Sequence, residues 1–317
     1  MSTSLKIYTE FFGLTKRPFT LLPDPDFIYW STPHKQAFTM LEYGLLTCAP
    51  ITLITGEIGS GKTTLLRELL KSMPIEFNVG LISNAQGDRG ELLHWVLMSL
   101  GQPVENGASY VQLFHQFQQF LISQYAEGKR TILIFDEAQN LSIETLEELR
   151  MFSNINADTD ELLQLVLVGQ PQLCDLVADP RLVQFAQRIS AEFHLPTMSV
   201  SDVENYINHR LTVAGATTKI FTRGACESIH LVSKGTPRLI NQICDYALVY
   251  AYSYERKEVD AAIIQQVIMD RKIYGVFSTT DSGAPFANEA FEEGAQERDT
   301  TNTAGPIPLH ERKGEAG

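Results

Sequence analysis

The stretch GEIGSGKT, residues 56–63, is the feature that most restricts what this chain can fold into. It matches the pattern G-x-x-x-x-G-K-[ST] without a mismatch. A β-branched apolar run, residues 51–55, precedes it, and a segment with helical spacing, residues 63–70, follows it. Strand, glycine-rich loop and helix in this order form a loop whose backbone N–H groups and helix N-terminus face an anion. The sequence therefore predicts a phosphate-binding loop.

Each position of this loop has an expected role. Lys62 would reach the β- and γ-phosphates of a nucleotide, and the Thr63 hydroxyl would ligate Mg²⁺. A glycine turn that binds nothing is the alternative, and the strand–helix context argues against it. The predicted nucleotide-binding residues in the loop are Gly56, Glu57, Ile58, Gly59, Ser60, Gly61, Lys62, Thr63 and Thr64.

Two carboxylates follow a second apolar run in the stretch TILIFDEAQNL. Asp136 ends the predicted strand at 131–136, at the carboxyl edge where ligands bind in open α/β sheets. We expect Asp136 to hold Mg²⁺, directly or through water, and Glu137 to polarise the attacking water. A solvated turn is the alternative interpretation of an Asp-Glu pair at a strand end.

Three polar residues farther along the chain are further candidates. Gln170 comes just after the predicted strand at 163–168, where it could orient water or contact the γ-phosphate; its alternative role is capping a turn. Arg238 lies in the first turn of a predicted helix, where the helix dipole disfavours a cation, which suggests that it serves a bound anion. Arg188 ends a predicted helix before the last strand. A plain surface arginine is the alternative for both.

The order of apolar patterns predicts an α/β fold. Strands at 51–55, 79–83, 131–136, 163–168 and 191–195 alternate with amphipathic helices near 89–100, 109–127, 142–153 and 180–189. This alternation predicts a parallel sheet covered by helices on both faces. From residue 199 to 272 only helices are predicted.

We therefore expect three parts in the chain. The first is a nucleotide-binding α/β domain over 1–198, which includes an aromatic N-terminal segment. The second is a small all-helical domain over 199–277. The third is a disordered acidic tail over 278–317, because it holds few large apolar residues.

The composition of the chain limits which partners and metals it can bind and where in the cell we expect it. The net charge of −13 opposes phosphate contacts and argues against DNA as a partner. No two of the four cysteines form C-x-x-C, and no histidine pattern suggests a metal other than the nucleotide's Mg²⁺. With no apolar leader and no apolar run of spanning length, we expect a cytoplasmic protein, or one that associates peripherally with the membrane through a partner.

Several stretches together resemble a known family. They are FFGLTKRPFTLLPDPDFIYWSTPHKQAFTMLEYGL, GEIGSGKTTL, LIFDEAQNL, LVLVGQPQL and GTPRLINQICDYAL, within residues 8–275. The chain resembles the AAA+ ATPases of the general secretion pathway protein A type and related ATPases found with exosortase and exopolysaccharide systems. The N-terminal signature is more specific than the phosphate loop, which many unrelated proteins share.

The resemblance implies roles residue by residue. Residues 56–63 correspond to Walker A, and Asp136 with Glu137 to Walker B. Gln170 corresponds to sensor 1 and Arg238 to the sensor 2 arginine of the helical lid. Arg188, or else Arg181, corresponds to the arginine finger that completes a neighbour's site, and residues 29–34 would border the adenine. ATP and Mg²⁺ are implied, as are homo-oligomers and a protein partner in secretin, pilus or polysaccharide export.

The chain departs from the family at one point, and two other functions are alternatives to a role in envelope export. Secretion-type members carry a transmembrane helix after the ATPase, whereas residues 278–317 are polar, so the relatives at exosortase or polysaccharide loci fit the length better. A DNA-associated AAA+ ATPase of transposition or replication is the first alternative function. A nucleotide-gated adaptor with slow turnover is the second.

Overall fold

The computed structural model describes residues 7–21, 24–83, 91–105, 107–157 and 160–274. The predicted tail, 278–317, lies outside the described residues. The strands are β1 (Ile51–Gly56), β2 (Phe77–Ser83), β3 (Arg130–Asp136), β4 (Asn156–Ala157), β5 (Asp160–Glu161), β6 (Leu163–Gly169) and β7 (Ile189–Leu195).

The helices alternate with these strands up to β7 and then continue without strands. They are α1 (Thr9–Phe12), α2 (Thr32–Leu46), α3 (Lys62–Ser72), α4 (Glu91–Ser99), α5 (Tyr110–Ala126), α6 (Ile143–Phe152), α7 (Gln172–Val177), α8 (Val183–Ala186), α9 (Val200–Val213), α10 (Arg223–Ser233), α11 (Pro237–Ser253) and α12 (Ala261–Tyr274).

Five strands form one parallel sheet in the order β2-β3-β6-β1-β7. Each predicted strand is present, and the predicted α/β fold with a parallel sheet is confirmed. The order places β6 between β1 and β3, so the phosphate loop after β1 and the carboxylates after β3 lie on either side of the end of β6. All three strand ends therefore meet at one edge of the sheet.

Alternate residues of the buried strands pack against helices on opposite faces of the sheet. Leu133 and Phe135 of β3 belong to a core with α4, α5 and α6. Ile132 and Ile134 belong to a second core with α2 and α3. This is the expected consequence of side chains pointing alternately to the two faces of a strand.

Three regions between β3 and β7 differ from the predicted pattern. The predicted helix at 180–189 is shorter, since Pro180 begins a 3₁₀ turn, α8 covers only Val183–Ala186, and β7 starts at Ile189. The short antiparallel pair of β4 and β5, together with α7, was not predicted. Proline fixes the backbone at the start of a turn, and segments this short carry too few residues for a periodic signal.

The part after β7 is helical, with α9 to α12 around one apolar core. α9 begins at a capping box, in which the Ser199 hydroxyl accepts from the backbone of Asp202 and the Asp202 side chain accepts from Ser199. A single parallel bridge joins Phe221 and Val259. The boundary between this part and the sheet, predicted at 198/199, stays a prediction.

The aromatic N-terminal segment packs on the helical part of the chain, although we predicted it as part of the α/β domain. Tyr8, Leu14, Phe19 and Phe27 are buried in the core of α9 to α12. Burial against the helices removes the large apolar surface of these side chains from water, and this surface drives the docking. The segment then enters α2, which packs on the sheet, so the N-terminal residues connect the two parts of the chain.

Among the described residues, no helix is long and apolar enough to cross a membrane.

Candidate nucleotide site

The phosphate loop has the backbone that its glycines permit. Gly59 and Gly61 have φ of 77° and 109°, in the left-handed region that side chains disfavour. A Cβ at Gly61 would lie 2.9 Å from Nε2 of His34, and one at Gly59 would lie 2.6 Å from Cβ of Arg238. Glycine is therefore required at both positions by conformation and by space. The buried Ser60 hydroxyl has no hydrogen-bond partner within the described ranges, so the loop retains polar capacity for a ligand.

Lys62 is buried at the start of α3 with its ammonium group inside the loop. Its Nζ donates to the carbonyl oxygens of Gly56 at 2.7 Å and Glu57 at 2.9 Å. Burial lowers the pKa of Lys62, and the charges of Glu137 and Asp136 oppose this effect. The loop thus surrounds the Lys62 ammonium group at the place where the sequence predicts a phosphate-binding site.

Thr63 and Asp136 come together although they are far apart in sequence. The Thr63 hydroxyl donates to Oδ2 of Asp136 at 3.1 Å. Burial raises the pKa of Asp136, while the hydrogen bonds from Thr63 and from the backbone of Glu137 oppose the rise. A hydroxyl and a carboxylate side by side are hard oxygen donors of the kind that Mg²⁺ binds, so these two residues fit the predicted metal site.

Glu137 lies next to this pair in an unusual backbone conformation. Its φ is 56°, which is uncommon for a residue with a side chain. Its Oε2 accepts from Nε2 of Gln139 at 2.7 Å and from Nε2 of Gln170 at 3.1 Å. Burial acts to raise the pKa of Glu137, but these hydrogen bonds and the charge of Lys62 outweigh it, and the pKa is lowered. At neutral pH this carboxylate is therefore ionised and able to accept a proton.

A cavity beside the phosphate loop is lined by residues of the sheet-containing part of the chain and of the helical part after β7. Trp30 and His34, from the segment predicted to border the adenine, line it together with Gly61, Tyr206 and Arg210. His34 Nε2 is 3.0 Å from the carbonyl oxygen of Ser60, which only accepts, so Nε2 carries the proton. Nδ1 then accepts from the Ser31 hydroxyl at 2.6 Å. The neutral imidazole therefore connects the start of α2 to the phosphate loop.

This arrangement leads to a prediction about pH. Burial lowers the pKa of His34, although the hydrogen bond to Ser60 and the charge of Asp202 oppose it. The unfolded chain then binds a proton at a higher pH than the folded chain, so folding stability falls as the pH drops below about 6.5. We expect the wild type to lose more unfolding free energy between pH 7.5 and 5.5 than His34→Gln, measured by urea denaturation.

The matched control for that measurement is His115→Gln, since His115 is exposed on α5. This variant is expected to lose as much unfolding free energy over the same pH interval as the wild type. Equal losses in the wild type and in His34→Gln would contradict the assignment of a neutral, buried His34.

The structure places the three remaining candidates differently. Arg238, at the start of α11, contacts the loop: its backbone N–H donates to the Gly59 carbonyl at 3.4 Å. Arg188 contacts the end of α6 instead, donating to the carbonyl oxygen of Ser153 at 3.0 Å and to the Asn154 side chain. Arg181 is exposed and paired with Asp179 at 2.8 Å. Within one copy of the chain, neither of these last two arginines contacts the phosphate loop.

Two contributors to the site were missed or incompletely described by the sequence reasoning. Gln139 was not singled out, although it lies two residues after Glu137 in DEAQ. The bridging role of His34 was also missed. An amide so close to a predicted catalytic carboxylate was the available signal for Gln139. For His34, the sequence gives no sign of its contact with Ser60, which lies 26 positions away.

Sequence comparisons find relatives of this chain. A family model described as an AAA domain matches residues 47–177. General secretion pathway protein A of Aeromonas hydrophila is 41% identical over 247 residues, which are 78% of this chain and 45% of that protein. The chain therefore spans less than half the length of this relative.

Solved structures with the same fold have much lower sequence identity. The ORC2 protein of Aeropyrum pernix, in complexes with ADPNP and ADP, has a TM-score of 0.58 at 17% identity, over 81% of this chain and 72% of that one. CDC6P of Pyrobaculum aerophilum has a TM-score of 0.58 at 18% identity, over 78% of this chain and 71% of that one. At these identities the likeness concerns the fold alone.

Proposed function

Because this chain belongs to the AAA+ P-loop NTPases of the general secretion pathway protein A type, we propose that it binds ATP and hydrolyses it with Mg²⁺. One observation carries the proposal: the contact of 3.1 Å between the Thr63 hydroxyl and Asp136 joins the phosphate loop to the carboxylates after β3. Phosphoryl transfer depends on positioning and on charge stabilisation, and the residues around this contact supply both.

Each residue then has a chemical task. Lys62 and the loop N–H groups bind the phosphates and stabilise the charge that develops on them. Thr63 and Asp136 hold Mg²⁺, which when bound neutralises phosphate charge. Glu137 accepts a proton from the attacking water, as an ionised carboxylate can. Gln170 orients that water or contacts the γ-phosphate, and Arg238 reaches the nucleotide from the helical part.

The proposed purpose of hydrolysis is to drive or regulate assembly of a bacterial envelope secretion or export system of secretin, pilus or exopolysaccharide type. The relative named general secretion pathway protein A supports this setting through its 41% identity. Homo-oligomers and a protein partner from that system belong to the same proposal, as does a place in the cytoplasm.

The activity is tested by Glu137→Gln. An amide keeps the shape of the carboxylate but cannot take the proton, so we expect ATP to bind and turnover to fall by about 10²–10⁴-fold. Binding is measured with a fluorescent ATP analogue, and turnover is measured as phosphate release with Mg²⁺ and with EDTA.

The matched control is Glu147→Gln. Glu147 lies on α6, outside the phosphate loop and the ends of β3 and β6, and forms an ion pair with Arg150 at 2.9 Å. It should keep wild-type turnover. If Glu137→Gln lost binding together with turnover, Glu137 would be structural or a metal ligand; if the wild type released no phosphate, the enzyme proposal would fail.

The setting requires a separate test in the host cell. An allele carrying Glu137→Gln should reduce secretin multimers, pili or surface polysaccharide, because a nucleotide-bound but inactive subunit blocks an assembly cycle. Normal levels of all three, with the variant protein present at wild-type amounts, would contradict a role in envelope export.

A further inference from the structure

Gln139 links the ends of two neighbouring strands through its side-chain amide. It lies in the short 3₁₀ turn Ala138–Asn140 that follows β3 and Glu137. Its Nε2 donates to Oε2 of Glu137 at 2.7 Å, and its Oε1 accepts from the backbone N–H of Gln170 at 2.9 Å. One amide therefore contacts both the predicted proton acceptor after β3 and the backbone after β6.

The orientation of this amide is fixed by its partners. A backbone N–H can only donate, so the oxygen of the Gln139 amide must face Gln170. The NH₂ group then faces Glu137, whose ionised carboxylate only accepts. Flipping the amide would place donor against donor and acceptor against acceptor, and both hydrogen bonds would be lost.

The neighbouring backbone leaves room for this arrangement. A Cβ at Gly169 would lie 2.8 Å from Oε1 of Gln139 and 3.2 Å from its backbone nitrogen. Any other residue at 169 would push the amide away from the end of β6. Glycine at this position therefore permits the close approach of the Gln139 side chain.

Gln139 and Gln170 hold Glu137 in different ways. The Gln139 side chain is anchored at both of its polar atoms. Within the described part of the chain, the Gln170 side chain makes one hydrogen bond, to Glu137 at 3.1 Å. Gln170 can therefore leave the carboxylate to meet a phosphate or water, while Gln139 stays in place.

From this geometry we propose that Gln139 is a positioning residue for ATP hydrolysis, which fixes the Glu137 carboxylate so that it can receive the proton of the attacking water. The inference rests on the proposed function. Both amide hydrogen bonds fall on Oε2, which leaves Oε1 to accept from water. A reacting group misplaced by about 1 Å can cost about 10²-fold in rate, so one well-anchored amide has a measurable effect.

The test compares Gln139→Met with the wild type and with Gln119→Met. Methionine has nearly the length of glutamine but has no amide group, so it can make neither hydrogen bond. Gln119 is an exposed residue on α5. We expect Gln139→Met to lower kcat about tenfold to a hundredfold while leaving KM for ATP and the affinity for an ATP analogue within about twofold. Gln119→Met should match the wild type.

A double-mutant cycle separates positioning from general damage to the structure. If Gln139 acts through Glu137, adding Gln139→Met to Glu137→Gln should lower the residual kcat no further, because residues that act as a unit are not additive. A second drop as large as the first, or an unchanged kcat in Gln139→Met alone, would overturn the inference.

A second variant covers the case in which Gln139→Met folds poorly. Gln139→Glu keeps an oxygen that accepts from Gln170, so the link between the strand ends remains, but it replaces the donor to Glu137 by a carboxylate that repels it. It should show at least the same loss of kcat and the same lack of additivity with Glu137→Gln. Wild-type kcat in Gln139→Glu would overturn the inference. A wild type without turnover would instead refute the proposed function, so the two failures are distinguishable.

Discussion

Lys62→Ala is expected to abolish ATP turnover in the purified protein. The Lys62 ammonium is buried inside the phosphate loop, within 2.9 Å of two backbone carbonyls. Alanine removes the cation that the γ-phosphate needs both for placement and for charge stabilisation. We expect phosphate release to fall to the level of a blank without protein, together with a large loss of affinity for an ATP analogue.

Lys71→Ala is the matched control on the same helix. Lys71 is exposed and pairs with Glu68 at 3.2 Å, and such surface pairs contribute about 0–1 kcal/mol to stability. This variant should hydrolyse ATP like the wild type. Unchanged turnover in Lys62→Ala would remove the enzyme proposal, since the phosphate loop would then serve no catalytic purpose.

The second large effect is expected for Arg188→Ala. If Arg188 completes the site of a neighbouring subunit, its loss should lower turnover by about 10³–10⁵-fold while ATP affinity persists. In a single copy its guanidinium donates to Ser153 at 3.0 Å and to Asn154. These hydrogen bonds must be given up when a neighbour's nucleotide takes the arginine, so activity per subunit should rise with protein concentration.

Mixing two inactive variants tests this role directly. Arg188→Ala keeps an intact phosphate loop, and Lys62→Ala keeps an intact arginine, so a mixture should recover part of the wild-type turnover at interfaces that combine both. A mixture that stays inactive while light scattering shows co-assembly would contradict the role in trans. Arg181, exposed and paired with Asp179, is the arginine to replace next.

The sequence alone determined the parts of the site that depend on local order. A glycine-rich loop between a buried strand and a helix needs only adjacent residues, so residues 56–63 could be predicted as a phosphate loop before any fold was known. The same holds for Asp136 and Glu137, because an apolar strand that ends in two carboxylates places them at the edge of a parallel sheet. Alternation of strands and helices predicted the sheet itself.

Only the tertiary structure decided which strand ends and which distant segments meet. Periodicity shows which face of a strand is buried, but it does not show which strand lies beside it. The position of β6 between β1 and β3 could therefore not be deduced. The contact of Gln139 with Gln170 depends on that strand order, so it could not be deduced either. From the sequence, the aromatic N-terminal segment could have packed either on the sheet or on the helices after β7. In the structure its rings are buried in the core of α9 to α12. Likewise, the sequence around Arg188 gave no sign that its guanidinium donates to the Ser153 carbonyl. A hydrogen bond between residues 35 positions apart depends on packing rather than on local sequence.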